Sequence, residues 1–167
     1  GRDVYDENKD GKTTDKRHML FDIYHSGIVK VGPPSASHTD ALYRRFLTDH
    51  QNRQVVVYAQ SNAGMVHAFN DVDDEDGSNK AGYERFAFIP PNVLGGNRLR
   101  GLRWADGVAS YSDGKVSYPR YLADGPLIAE DVLIGTGDNR QYRTVLMGLL
   151  GLGGAGLYVL DVTTPDA

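Results

Sequence analysis

The chain has 167 residues, 40% hydrophobic and 24% charged, with 20 glycines and 10 tyrosines, a balance that suits a turn-rich, all-β globular protein with a real core. Its net charge of −4 supplies no basic surplus for neutralising phosphates, which disfavours a nucleic-acid binder. The absence of cysteine excludes disulfides, thiolate metal sites, covalently attached c-type haem and cysteine catalysis.

No signal peptide opens the sequence, and no apolar run approaches the roughly 20 residues that a membrane helix needs. An exported protein would therefore be represented here by a mature or excised piece.

Residues 1–17 are polar, and Asp6, Asn8, Asp10 and Gly11 follow the opening of a calcium-loop pattern. Alternating short oxygen-bearing side chains converge on one hard cation, and the glycine permits the sharp turn between them. In that scheme the Lys12 carbonyl follows as a ligand, with Thr14 or Asp15 after it. The twelfth position, where an EF-hand places a bidentate glutamate, holds Arg17. A full EF-hand is therefore not expected, and the same residues also read as an acidic, solvated loop.

Residues 19–32 read as one strand, or two broken near Gly27, and Pro33 and Pro34 end it. Asp22 and His25 point to opposite faces at that spacing, so His25 is expected to be a hydrogen-bonded structural histidine. Residues 38–52 are the main helical candidate, with Thr39 or Asp40 as cap and Leu42, Tyr43, Phe46 and Leu47 on one face. This segment reads as an insertion packed against a sheet.

Residues 54–70 form the best-defined hairpin. Two apolar runs, Val55 to Tyr58 and Met65 to Phe69, flank the turn residues Ser61, Asn62, Ala63 and Gly64. The acidic run 71–82 offers no calcium register, because placing Gly77 at the turn leaves Val72 where the first aspartate belongs. It reads as a solvated turn before a strand at 83–89, which Pro90 and Pro91 stop.

Residues 92–125 are less patterned, with hairpin-turn chemistry at Asp113-Gly114 and another turn at Asp124-Gly125-Pro126. Leu127 to Ile134 reads as a strand, followed by a polar loop. Tyr142 to Leu150 is apolar enough for a strand buried on both faces. The glycine run 151–156 resembles a phosphate loop only superficially: a strand, Leu157 to Val162, follows it where a dinucleotide site needs a helix. It reads as a turn.

The hairpins at 54–70 and 144–162 share a plan: an apolar strand, a glycine-bearing turn, and a strand ending in a polar residue. Repeated antiparallel hairpins build β-propeller blades. Roughly eight to ten strands are expected on this reading, about two to three blades, whereas a closed propeller takes at least four. The fold class is therefore all-β, a partial β-propeller with one short helical insertion, completed by a missing segment or another chain.

Five stretches in order, DIYHSGIVKVGPP (22–34), VVVYAQSNAGMVHAFN (55–70), YERFAFIPPNV (83–93), ADGPLIAEDV (123–132) and YRTVLMGLLGLGGAGLYVLDVTTP (142–165), resemble the β-propeller domain of PilC/PilY-type type IV pilus-tip proteins. Ala63 stands where the family usually carries an acidic residue. The resemblance implies quinoprotein-dehydrogenase-like blades and a secreted, pilus-associated protein at the cell surface, exported through the periplasm. It further implies promotion of pilus assembly or opposition to retraction, adhesion to a surface or host receptor, and pilins or minor pilins as partners. Calcium at an aspartate-rich loop is also implied, with Asp6, Asn8, Asp10, Lys12, Thr14 and Asp15 as the candidate ligands.

Two other readings compete. A quinoprotein (PQQ) dehydrogenase shares this propeller type, but vicinal cysteines and a tryptophan-ending docking repeat are missing, and Trp104 is the lone tryptophan. His18, His25, His38, His50 and His67 show no metal-ligand spacing, and no serine sits in a nucleophile elbow. No catalytic or organic cofactor-binding residue is therefore assigned, and the protein is read as non-enzymatic. The other alternative is a purely structural interaction module of an extracellular filament.

Overall fold

The structure, a computed structural model, describes residues 20, 22–73, 77, 80–95 and 121–165. Its strands are Ile28–Val31 (β1), Val56–Gln60 (β2), Val66–Asn70 (β3), Glu84–Phe88 (β4), Leu127–Ile134 (β5), Gln141–Leu149 (β6) and Leu157–Asp161 (β7). The helices are Ala41–Asp49 (α1) and the single turn Pro91–Leu94 (α2). The calcium-loop residues Asp6, Asn8, Asp10, Lys12, Thr14 and Asp15, the Asp113-Gly114 turn and Trp104 lie outside the described residues.

Two antiparallel meanders result, a first sheet in the order β1-β2-β3-β4 and a second in the order β5-β6-β7. In the first, Val56 faces Asn70, Tyr58 faces Ala68 and Gln60 faces Val66. Period-2 alternation therefore sends Val56, Tyr58, Val66 and Ala68 to one side. On the second sheet, Leu127, Leu146 and Tyr158 are buried in the same cluster, together with Val93 and Leu122 from the connections. The two sheets thus bury one shared core, and β1 lies alongside β5.

The hairpin turn is fixed by Gly64, whose φ is +82°. A Cβ there would also sit 2.6 Å from Val93 and 2.9 Å from Leu122, so backbone conformation and packing both demand glycine. At Gly148 the cause is packing alone. A Cβ would fall 2.1 Å from the Tyr158 ring, which lies directly across the ladder from it.

Several boundaries differ from expectation. Among the described residues of the segment 19–32, only Ile28–Val31 pairs as a strand. The helix is shorter than 38–52; Asp40 caps it by accepting from Tyr43 N at 2.9 Å, and Tyr43 and Phe46 are its buried face. Leu42, expected on that face, is exposed. Pro90 and Pro91 end β4 as expected but also start α2, since proline suits a first helical turn.

The clearest correction concerns residues 142–150. β6 is buried on one face only, with Thr144, Leu146 and Gly148 inside and Met147 and Leu149 exposed. Its outward residues are apolar too, and this erased the alternation that marks a half-buried strand.

Candidate functional site

The polar groups of interest lie where the two sheets and α1 meet. Gln60, at the end of β2, is fully buried. Its Nε2 donates to the Gly125 carbonyl at 2.7 Å and the Leu149 carbonyl at 2.8 Å, while its Oε1 accepts from the Tyr158 hydroxyl at 2.5 Å. One amide therefore joins the first sheet to both outer parts of the second. Burial pushes the Tyr158 hydroxyl well above the ordinary tyrosine value, so it serves as a fixed donor.

A second network centres on Arg53. Its Nε donates to the Gly32 carbonyl at 2.7 Å, one terminal nitrogen makes a second bond to that carbonyl, and the other donates to Thr144 Oγ1 at 2.6 Å. Thr144 Oγ1 in turn donates to Asp131 Oδ1 at 2.6 Å, and the Tyr43 hydroxyl donates to Asp131 Oδ2 at 2.7 Å. Desolvation, and then this bond to Asp131, push Tyr43 up to about 12. Burial draws Arg53 down from its ordinary value while Asp131 opposes it; a guanidinium stays charged in either case. Helix, both sheets and the loop after β1 are thereby locked together around the half-buried Arg53 and Asp131.

Two histidines fill structural roles. His25 Nδ1 bonds Asp124 Oδ2 at 2.6 Å, joining the segment before β1 to the turn before β5. This meets the expectation for His25, with a partner 99 positions away and not Asp22. His67 Nδ1 bonds Glu84 Oε1 on the neighbouring strand at 2.6 Å, and its Nε2 lies 3.3 Å from Ser61 Oγ.

The order Ser61, His67, Glu84 repeats the connectivity of a hydrolytic triad. Ser61 is fully buried, however, and its backbone is pinned in the turn by bonds to Met65 and Gly64. A substrate carbonyl has no approach to that hydroxyl. The trio clamps β3 to β4.

A groove of about 670 Å³ lies between α1 and the β5–β6 connection. Phe46 and Tyr142 line it, with rings 6.1 Å apart, and Arg45, Arg140 and Arg143 stand around it. Tyr142 is held by its hydroxyl bond to Asp40 Oδ2 at 2.7 Å and by an edge-on contact with Tyr43 at 4.8 Å. That hydroxyl, followed by the Tyr43 N–H, holds the Asp40 carboxyl below its ordinary value of 3.8. Burial and the nearby Arg53 charge pull His50, also in the groove, below 6.5, so its imidazole is mainly neutral at pH 7.

Among the described residues no group of three or more His, Asp or Glu is placed to hold a metal ion. No described helix is long and apolar enough to cross a membrane.

A family model, the PilY1 β-propeller domain, matches residues 20–167 of the chain. The chain belongs to the PilY1 β-propeller domain family.

It is 33% identical over 168 residues to the type IV pilus biogenesis factor PilY1 of Pseudomonas aeruginosa strain UCBPP-PA14, covering 96% of this chain and 12% of that protein. A PilY1 homologue of Xylella fastidiosa is also 33% identical, over 95% of this chain and 12% of its own length. The chain thus spans about an eighth of the curated relatives it matches. Among solved structures, the C-terminal domain of P. aeruginosa PilY1 is similar at a TM-score of 0.50 and 28% identity, over 83% of this chain and 23% of that one.

Gln60, Arg53, Asp131 and Thr144 escaped sequence reasoning. The available signal was a polar residue in an apolar strand run: Gln60 continues the buried alternation of Val56 and Tyr58, where an amide must find partners.

Proposed function

We propose that this chain supplies two blades of a β-propeller in a type IV pilus biogenesis factor, and that the protein acts at the cell surface and pilus tip without catalysing a reaction. The family match over residues 20–167 carries this reading. Chain outside these residues completes the propeller, pilins or minor pilins are the assembly partners, and a surface or host receptor is the adhesive one. The route is export through the periplasm. The protein promotes assembly or opposes retraction.

A cell expressing the intact protein with Leu146→Asp tests this. Leu146 is fully buried at the sheet–sheet core, and an unpaired carboxylate there disrupts docking. Surface pili should be lost while the retraction motor is active and should return when it is removed. Unchanged pilus numbers, with the variant domain shown to be unfolded, would contradict the reading. A variant that keeps pili but loses attachment would assign adhesion separately from assembly.

Calcium binding at Asp6, Asn8, Asp10, the Lys12 carbonyl, Thr14 and Asp15 is part of the same proposal. Its support is the donor set, all oxygen and suited to a hard cation, with Arg17 weakening the loop by replacing the bidentate glutamate. A ligand held only by the folded state stabilises it by about 2.7 kcal/mol at a concentration of roughly 100 times Kd. Saturating calcium should therefore raise the melting temperature of the parent protein and leave Asp10→Ala unmoved. Identical parent melting in calcium and in chelator would exclude the site.

A further inference from the structure

We propose that the groove between α1 and the β5–β6 connection binds an acidic saccharide, a sugar ring carrying a carboxylate. The site goes beyond the pilus reading and does not depend on it.

At about 670 Å³ the groove falls within the roughly 300–1,000 Å³ typical of small-ligand sites. Its charge runs against that of the chain. Three guanidiniums face it beside two carboxylates, Asp49 and Asp138, although the whole sequence carries a net −4. Two of the three are committed: Arg45 lies 3.5 Å from Asp49, and Arg143 lies 3.3 Å from Asp161. Arg140 makes no ion pair among the described residues. Its Nε is anchored to the Gly137 carbonyl at 3.2 Å, which leaves a planar fork suited to a carboxylate.

The remaining chemistry favours a sugar. The Tyr142 ring, backed by the buried Phe46, offers an apolar face to the C–H side of a pyranose, and Tyr142 is already immobilised through Asp40 and Tyr43. A wall fixed before binding loses little entropy when the ligand arrives. The amides of Asn139 and Gln141 supply donors and acceptors for ring hydroxyls.

An acidic peptide fits less well. β6, the strand bounding the groove, is paired with β5 along its length and with β7 from Val145 to Leu149, so only the short stretch Gln141–Arg143 has an open edge for a peptide backbone. Leu42 is the sole aliphatic side chain among the groove's lining residues.

Calorimetric titration of the intact protein with digalacturonate, a neutral disaccharide of the same linkage, and a glutamate-rich hexapeptide tests the proposal. Digalacturonate should bind saturably and at least tenfold tighter than the other two. Arg140→Gln should weaken it at least fivefold with an unchanged melting temperature. Arg140→Lys, which keeps the charge and loses the fork, should weaken it at least threefold and decides the matter if the glutamine variant is less stable. Absence of saturable digalacturonate binding, equal affinity for the neutral sugar, tighter binding of the peptide, or indifference to both Arg140 substitutions would each overturn the proposal.

Discussion

Gln60 joins three segments through one side chain, so its removal should cost more than one hydrogen bond. In Gln60→Leu the shape is nearly kept, but the Gly125 carbonyl and the Tyr158 hydroxyl lose their buried partner. An unsatisfied buried group costs about 1–3 kcal/mol, so a loss of about 3 kcal/mol is expected. Tyr158→Phe removes one donor from an amide that keeps its other two bonds, and should cost about 1 kcal/mol. Urea denaturation checks both through the midpoint at constant slope. Equal costs would mean that the amide's bonds to the Gly125 and Leu149 carbonyls contribute nothing. This clamp was hidden in the sequence because its partners lie 65 to 98 positions away from Gln60. The same holds for His25: its spacing from Asp22 argued against that neighbour, and the fold supplies Asp124. Residue type showed that a partner was required; only the docking of the sheets selects it.

At the scale of the element, α1 illustrates both the reach and the limit of local pattern. The cap Asp40 and the spacing of Tyr43 and Phe46 are local, and the helix could be placed from them. Asp40 also holds Tyr142, which links the helix cap to the groove wall. Because the hydroxyl of Tyr142 and the N–H of Tyr43 hold the folded Asp40 carboxyl below its unfolded value of 3.8, the sign of its pH dependence follows. Its stabilising contribution is complete above that value and is lost as pH falls through the lower folded one. The parent protein should therefore lose more stability than Asp40→Asn on acidification below about pH 4, read from melting temperatures. Parallel acid profiles would remove Asp40 from the account. β6 shows where local pattern fails. Met147 and Leu149 point away from the core yet are as apolar as Leu146, so periodicity alone made the strand look doubly buried. That reading misjudged this sheet as it stands, but it registered a real property of the outer face.

For the whole molecule, that face is the feature the propeller reading must explain. Ile128, Met147 and Val159 stand opposite one another across β5, β6 and β7, at 50%, 38% and 50% exposure. Apolar rows of this kind on a sheet mark a surface that packs against something. The core shared by the two sheets shows how one meander covers another, and a further blade from chain outside these residues would cover this row in the same way. Hydroxyl-radical footprinting of Met147 in the intact protein tests the claim directly, with mild denaturation supplying the freely exposed rate. Oxidation at least fivefold slower in the native protein is the predicted result. A native rate within twofold of the denatured one would show the outer face open to water, and would contradict its burial against a further blade.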